Sequence, residues 1–571
     1  MLNTAAPRLD TSNALKCGGL FLVSFCVWAV LASTFVISYH AQEQTIYYWD
    51  YDNYPRMFRT LVRTWETESP RAVLNQTLAS LEYEYTFLPA FLLLPAGLFF
   101  GDDRTVFLTS VASIYGFVAV AMTLGLYGTL CRARGSNLTK TEWLVGAVSL
   151  VALPTFWFPI LRGFPDVFGM GIISGILYGH LSKPLWERSK WQMLGLGLTI
   201  ASLLWFRRWY AYFVVAMIVS IVFDYGSRMV RKSAWTERWQ ITESFFVKGF
   251  IALGVAACLL ISLSPQQWLG NLLTPYRELY SSYRTDWGTV IYGLYEDFGL
   301  TTPVLLTLGL FFSVVHWGWR AAVFMIAYLV SGFLLFQRTQ NLSPQHYYGL
   351  MPGVSVMIVT STTGLLRLAR TRSIKVVTGG LLVLLFSLQL ASFTSRVIRQ
   401  NLGFLSKAFP LAYGFPLRRT DLGEIRRLLN AVSANKGTAE EIYVVASSAM
   451  FSEQILMASS ELWGYGEEIT NHILRSHEVD SRDGFPWRFF DAKLVVVASP
   501  VQIHLPRTEQ RNVTLLYEKI VNDVSFQSHF ERFPYSFNLD RDVQVSIYRL
   551  KQPFEWHDIQ SLLREYQSPT L

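Results

Sequence analysis

Charge is scarce in this sequence. Of 571 residues, 41 are acidic and 49 basic, or 16%, against about 25% in an average soluble protein. The shortage is uneven: residues 391–571 hold 41 of the 90 charges, and the first 390 residues hold the other 49. That split excludes a single globular fold, a disordered chain and a coiled coil. Cysteine is also rare. Cys17, Cys26, Cys131 and Cys258 all lie in or beside apolar runs, without metal-ligand spacing, and residues 259–571 contain none. A disulfide framework and a cysteine zinc site are therefore not expected. There is no internal repeat, no low-complexity tract and no glycine-rich phosphate fingerprint. The net charge of +8 does not point to nucleic acid, because the last third carries 20 basic and 21 acidic residues. The excess lies among apolar spans, where basic residues set orientation.

What is abundant is apolar chain. A bilayer span needs about 20 such residues. The first candidate is 17–38. Arg8 and Lys16 precede it as in a signal peptide, but the run is long and has no clear small-residue cleavage site, so a retained helix is expected. Further spans centre on 105–130, 144–160, 167–181, 191–206, 209–224, 245–263, 301–315, 320–336, 349–366 and 376–392, about eleven in all. Residues 86–100 (TFLPAFLLLPAGLFF) are apolar but short and hold two prolines, which suits a re-entrant or interfacial segment. With the N-terminus inside, the basic clusters fall on the cytoplasmic side: Arg132, Arg134 and Lys140; Lys183, Arg188 and Lys190; Arg228, Arg231, Lys232 and Arg238; Arg367, Arg370, Arg372 and Lys375. Counting 86–100 as a span would place the Arg132 and Lys183 clusters outside. The expected fold is thus a polytopic α-helical membrane domain, residues 1–392, with a first outside loop at 41–104, followed by an extracytoplasmic α/β domain at 393–571. In the latter, Glu441–Ser447 and Lys493–Ser499 read as buried strands, Val543–Leu550 as an edge strand and Ser452–Leu462 as a helix.

The residues able to do chemistry gather in the outside loops. Tyr47–Tyr54 (YYWDYDNY) sets Asp50 and Asp52 among five aromatic residues. Such carboxylates can act as a general base or bind a metal, and such aromatics line sugar sites. The same stretch also fits an interfacial aromatic belt. Arg162–Asp166 (RGFPD) places Asp166 just before an apolar helix, where an acid also serves as a cap. Phe336–Pro352 carries Arg338, Gln345, His346, Tyr347 and Tyr348. Trp205–Tyr210 (WFRRWY) carries Arg207 and Arg208, suited to phosphate contact or to lipid head groups. Glu82 and Glu84 (LEYEYTFLP) are further acids or solvated charges. Asn75–Thr77 and Asn512–Thr514 are glycosylation sequons on the outside.

In their order along residues 17–392, these features resemble the GT-C superfamily of polyprenol-dependent membrane glycosyltransferases. That group includes protein O-mannosyltransferases, lipid A aminoarabinose transferases and the oligosaccharyltransferase catalytic subunit. The matching motifs are WDYDNY, EYEYTFLPAFLL, RGFPD and RTQNLSPQHYYGLMP, followed by an outside α/β domain. The resemblance implies that Asp50 or Asp52 is the catalytic base, with Asp52 the alternate or a metal ligand. It implies that Asp166 orients acceptor or metal, and that Arg338 and His346 contact the donor phosphate, with Tyr347 beside them. The chain departs from the oligosaccharyltransferase pattern: it has no WWDYG, and FPD stands where DxE is expected. It also lacks the KPP sequence of the aminoarabinose branch near Glu82–Pro89.

The expected activity is inverting hexosyl or pentosyl transfer, from a polyprenyl-phosphate-linked donor to a glycan, lipid or protein acceptor of the cell envelope. The expected location is the outer face of a bacterial inner membrane. No cofactor is required, and a divalent metal stays an open alternative. A glycolipid transporter or flippase would favour paired charges within the spans and inverted repeats. A polysaccharide polymerase or ligase would favour a large outside loop late in the membrane domain. The C-terminal domain is either a lid, an acceptor-recognition surface or a folded appendage.

Overall fold

The computed structural model describes residues 11–132, 135, 138–230, 234–411, 414–437 and 440–568. Arg8, Arg134, Arg231 and Lys232, used in the orientation argument, lie outside the described residues, as do the side chains of Lys16 and Cys17.

The first two-thirds is a helical bundle. Among the described residues, seven helices are long and apolar enough to cross a membrane: Gly19–His40, Arg104–Arg132, Arg208–Met229, Trp235–Leu263, Trp319–Gln337, Pro344–Leu368 and Arg372–Thr394. Two broken pairs raise the count to nine: Lys140–Val151 with Pro154–Arg162, bent by 46°, and Trp287–Phe298 with Thr301–Trp317, bent by 92°. Val167–Ser182 is apolar but only 16 residues long. All eleven expected spans coincide with helical chain, while length and composition qualify seven to nine of them as crossings.

Burial explains the helices' different compositions. Leu20, Phe21, Leu22 and Val23 of the first helix are exposed, as a lipid-facing helix requires. The Tyr347–Leu368 helix is almost wholly buried at the bundle centre. It can therefore carry Ser355, Thr360, Ser361, Thr362 and Thr363. The Thr360 hydroxyl donates to Val356 O at 2.7 Å, and Thr363 meets the Tyr127 hydroxyl at 2.5 Å. Gly309 lets the neighbouring helix approach: a Cβ there would lie 2.2 Å from Met357 O.

After the first helix, Asp50–Thr67 buries Tyr54, Phe58, Leu61 and Val62, one face at helical spacing. Residues 86–100 form two short helices, Leu88–Phe91 and Leu94–Phe100, each with a proline in its first turn. Neither is long enough to span, in line with an interfacial segment.

Residues 442–550 hold a four-stranded sheet: β1 (Ile442–Val445), β2 (Leu494–Ser499), β3 (Phe530–Leu539) and β4 (Val543–Leu550), in the order β1-β2-β4-β3. β1 and β2 are parallel, and the other pairs are antiparallel. One face packs on helices Leu422–Asn435 and Glu453–Leu462, the other on Arg511–Asn522 and Trp556–Gln567. Val543–Leu550 is thus an inner strand, not the expected edge. The alternation is real, but Val545 and Ile547 cover one core while Tyr548 covers the other. The sequence reading missed β3 because it contains Pro534, Glu531 and Arg532. Its place at the sheet edge, with an irregular register between Arg532 and Ser536, accommodates them.

The sheet-bearing half is fastened to the bundle at several points. Gln44 N donates to Leu417 O at 2.8 Å and Arg419 N to Gln44 O at 2.7 Å. The buried Arg162 pairs with Glu43 at 3.0 Å and donates to Phe415 O at 2.9 Å. Asn512 is buried (1% exposed), so that sequon is closed to modification in the folded chain, whereas Asn75 is exposed.

Candidate active site

Trp49 sets the geometry of the segment that follows the first helix. Its backbone is left-handed (φ 48°), costly for a bulky residue by about 1–3 kcal/mol. The conformation is held from the C-terminal half. Trp49 Nε1 donates to Glu478 Oε1 at 3.4 Å, and its ring lies 4.9 Å from that of His504. The turn opens the Asp50–Thr67 helix, so both acids sit in its first turn, where the helix dipole favours negative charge.

The two acids then diverge. Asp50 Oδ1 accepts from the Tyr85 hydroxyl at 2.7 Å, and its Oδ2 lies 4.0 Å from Arg207 Nη2. Its side chain remains 29% exposed. Asp52 is held by Arg56 one turn on, at 2.7 Å, and Arg56 also reaches Glu461 of the C-terminal half at 3.4 Å. Asp52 is therefore part of a tether between the two halves, and Asp50 faces the tyrosine–arginine cluster.

Arg207 and Arg208 diverge as well. Arg207 is extended (φ −156°) at the end of the Lys190–Phe206 helix, so the adjacent side chains leave in different directions. Arg207 turns inward: Nη1 donates to the Tyr54 hydroxyl at 2.6 Å, and Nε lies 3.1 Å from Asp166 Oδ1. Its guanidinium also lies over the Tyr54 and Tyr85 rings. Asp166 is completely buried and makes no side-chain cap, contrary to the simple capping reading. Neither its carboxylate oxygens nor Arg207 Nε has a well-directed hydrogen bond, so the two charges are matched by proximity alone. Burial pushes the Asp166 acid up to about 6 against the pull of Arg207. Gly169 makes room for Tyr210, whose hydroxyl donates to the Asp166 carbonyl at 2.6 Å.

Arg208 turns outward. It pairs with Glu84 and accepts company from two tyrosines, donating to the Tyr276 hydroxyl at 3.3 Å and to Tyr280 at 2.5 Å. These groups line a polar cavity of about 600 Å³ between the bundle and the C-terminal half. Glu82 also lines it, but its carboxylate accepts from Gln267 N at 3.1 Å, capping the Pro265–Leu273 helix. Thr86 donates to Trp205 O at 2.8 Å, which fixes the Glu82–Tyr85 segment beside both arginines.

The late loop contributes less than the motif implied. His346 is buried against Trp209 and Phe336, its Nδ1 accepting from Ser343 N at 3.0 Å. Tyr347 is buried and donates to Asp297 at 2.6 Å. Arg338 is exposed at the end of its helix and makes no ion pair among the described residues. None of the three lines the cavity. The reason is local: a 3-10 turn over Pro344–His346 folds both His346 and Tyr347 back into the bundle. Among the described residues, no three His, Cys, Asp or Glu side chains gather as a metal site. The acids Asp50 and Asp166 instead share Arg207.

Sequence reasoning missed Tyr54 and Tyr85, which orient the charges. It also missed Arg475, His477, Arg482 and Arg488, which reach the cavity from the C-terminal half. The tyrosines were visible as part of aromatic runs. The arginines sat in a stretch of ordinary soluble composition and gave no signal.

No family model matches the chain, and no curated protein does. Solved structures do. The crystal structure of ArnT from Cupriavidus metallidurans bound to undecaprenyl phosphate aligns with a TM-score of 0.50 at 10% identity, over 92% of this chain and 98% of that one. The archaeal oligosaccharyltransferase AglB from Archaeoglobus fulgidus, in complex with an inhibitory peptide and a dolichol-phosphate, aligns at 0.43 with 12% identity, over 83% and 69%. The alignment with ArnT runs through both the helical bundle and the sheet-bearing half. This chain therefore shares the fold of that ArnT structure, a multi-pass helical membrane part joined to a small α/β part.

Proposed function

We propose that this protein is an inverting glycosyltransferase. It moves a sugar from a polyprenyl-phosphate-linked donor to a glycan, lipid or protein acceptor at the extracytoplasmic face. The observation that carries the reading is the place of Asp50. It is a partly exposed carboxylate that accepts from Tyr85 and lies 4.0 Å from Arg207, and the sequence neighbours of those two partners, Glu84 and Arg208, line the polar cavity. The fold shared with a lipid-phosphate-bound ArnT structure supports it.

In this reading an acceptor hydroxyl donates its proton to Asp50 as its oxygen attacks the anomeric carbon. The bond from that carbon to the phosphate oxygen breaks, and the lipid phosphate leaves with the electron pair. A single displacement inverts the anomeric configuration. Negative charge grows on the departing phosphate, and Arg208 is the arginine of the pair that lines the cavity. Asp166 is a positioning residue that holds Arg207, and Arg207 in turn orients Asp50. Purified protein incubated in detergent with radiolabelled polyprenyl-phosphate sugar and an envelope extract tests the reading. Release of polyprenyl phosphate that is lost in Asp50→Asn is expected. Equal release by parent and variant would sink it.

A further inference from the structure

We propose that the C-terminal half supplies two phosphate-binding residues, Arg475 and Arg488, which act with Arg208 on the phosphate of the lipid-linked donor. The inference rests on the transfer reading above and assigns the C-terminal half a part in donor binding.

The charges around the cavity leave these two arginines over. Glu84 is taken by Arg208, and Asp483 by Arg482 at 2.7 Å. Glu82 is engaged by Gln267 N. Arg475 and Arg488 line the same cavity, are exposed and make no ion pair among the described residues. Two exposed guanidiniums with no ion pair among the described residues, on the cavity that Arg208 also lines, suit an anion with several oxygens.

The cavity also has a lipid-ready flank. On the Pro265–Leu273 helix, Gln266, Gln267, Gly270 and Asn271 line the cavity, at helical spacing. The other face carries Leu269, Leu272 and Leu273, which are 49%, 79% and 85% exposed. A helix with one face on a cationic cavity and the other bare and leucine-rich sits well at a membrane surface. That is where the phosphate of a membrane-anchored donor must lie. The segment bearing the arginines is joined to the base as well. Its Glu478 accepts from Trp49, the residue before Asp50, and lies 3.5 Å from Arg482.

The probe is undecaprenyl phosphate, added to the full chain in nanodiscs, with binding read by native mass spectrometry. The parent and Arg338→Ala are expected to bind alike. Arg475→Gln and Arg488→Gln are each expected to weaken binding several-fold, and the double variant at least tenfold, with unchanged melting temperature. Arg475→Lys with Arg488→Lys is expected to recover part of the loss. Inorganic phosphate is expected to compete only at far higher concentration. Undiminished binding by the double variant overturns the inference. So does equal competition from phosphatidylglycerol, which would mark a general head-group site. Failure of the parent to bind or to transfer would instead overturn the reading on which the inference stands.

Discussion

Arg207 Nε lies 3.1 Å from Oδ1 of the wholly buried Asp166, and its Nη2 reaches to 4.0 Å from Asp50. One guanidinium thus couples a sequestered acid to an accessible one. Removing one partner of a buried ion pair strands the other charge, at a cost of about 3–5 kcal/mol. Asp166→Ala is therefore expected to lower the melting temperature clearly and to abolish transfer. Asp166→Asn, which keeps the shape, is expected to fold better and still lose most activity. Thermal scans alongside turnover check both, and full activity in Asp166→Asn would contradict the coupling.

Asp50 and Asp52 are expected to behave differently, although two residues apart. Asp50→Asn removes the proposed base and is expected to cost about 10²–10⁴-fold in turnover. Asp52→Asn loosens a helix-surface pair with Arg56, worth about 0.3–0.5 kcal/mol, and is expected to keep most of its turnover. Comparing kcat for the two variants is the measurement. The reverse order would transfer the role of base to Asp52.

Tyr85 holds Asp50 through a hydrogen bond of 2.7 Å to a charged oxygen. Such bonds contribute about 1.5–3 kcal/mol. Tyr85→Phe is expected to lower kcat by about tenfold or more while leaving KM for the donor close to the parent value. A change in KM alone would mean that Tyr85 contacts substrate and not the base.

Glu453, in the C-terminal half, is buried and accepts from Ser476 N, next to Arg475. Burial pushes its acid up to about 7. The folded chain therefore keeps a proton that the unfolded chain releases near the ordinary glutamate value. The stabilisation this gives is complete at low pH and is lost as pH rises towards about 7. The parent melting temperature is expected to fall between pH 5 and pH 8 by about 2 °C or more, and Glu453→Gln to flatten that slope. An unchanged slope in the variant would remove Glu453 as its source.

His346→Ala is expected to destabilise the bundle by about 1 kcal/mol or more, through the lost contact to Ser343 N and the hole left beside Trp209 and Phe336. Arg338→Ala is expected to be near neutral in stability. Turnover per folded molecule, corrected by size-exclusion yield, separates a folding defect from a binding one.

Much of the bundle was legible because apolar length and basic loops are local properties. The short 86–100 segment was recognisable from its two prolines. The alternation of Val543–Leu550 showed a strand but not its neighbours, since an inner strand between two different cores alternates as an edge strand does. The late loop misled for a related reason. RTQNLSPQHYYGLMP has the residue types of a phosphate site, but the 3-10 turn at Pro344 folds its His346 and Tyr347 inward.

The sequence by itself determined the membrane bundle, the α/β half and the set of charges kept in the loops between apolar helices, because each follows from composition and spacing along the chain. Only the tertiary structure decided which charges face one another. Asp50 and Arg207 are far apart in sequence, as are Glu84 and Arg208, and Arg475 and Arg488 come from a different half altogether. Side-chain direction at a helix end, the inward turn of Arg207 and the outward turn of Arg208, depends on the backbone break between them and on the tyrosines packed around it. No local pattern encodes that choice, because burial and charge pairing are settled by neighbours brought in from elsewhere in the fold.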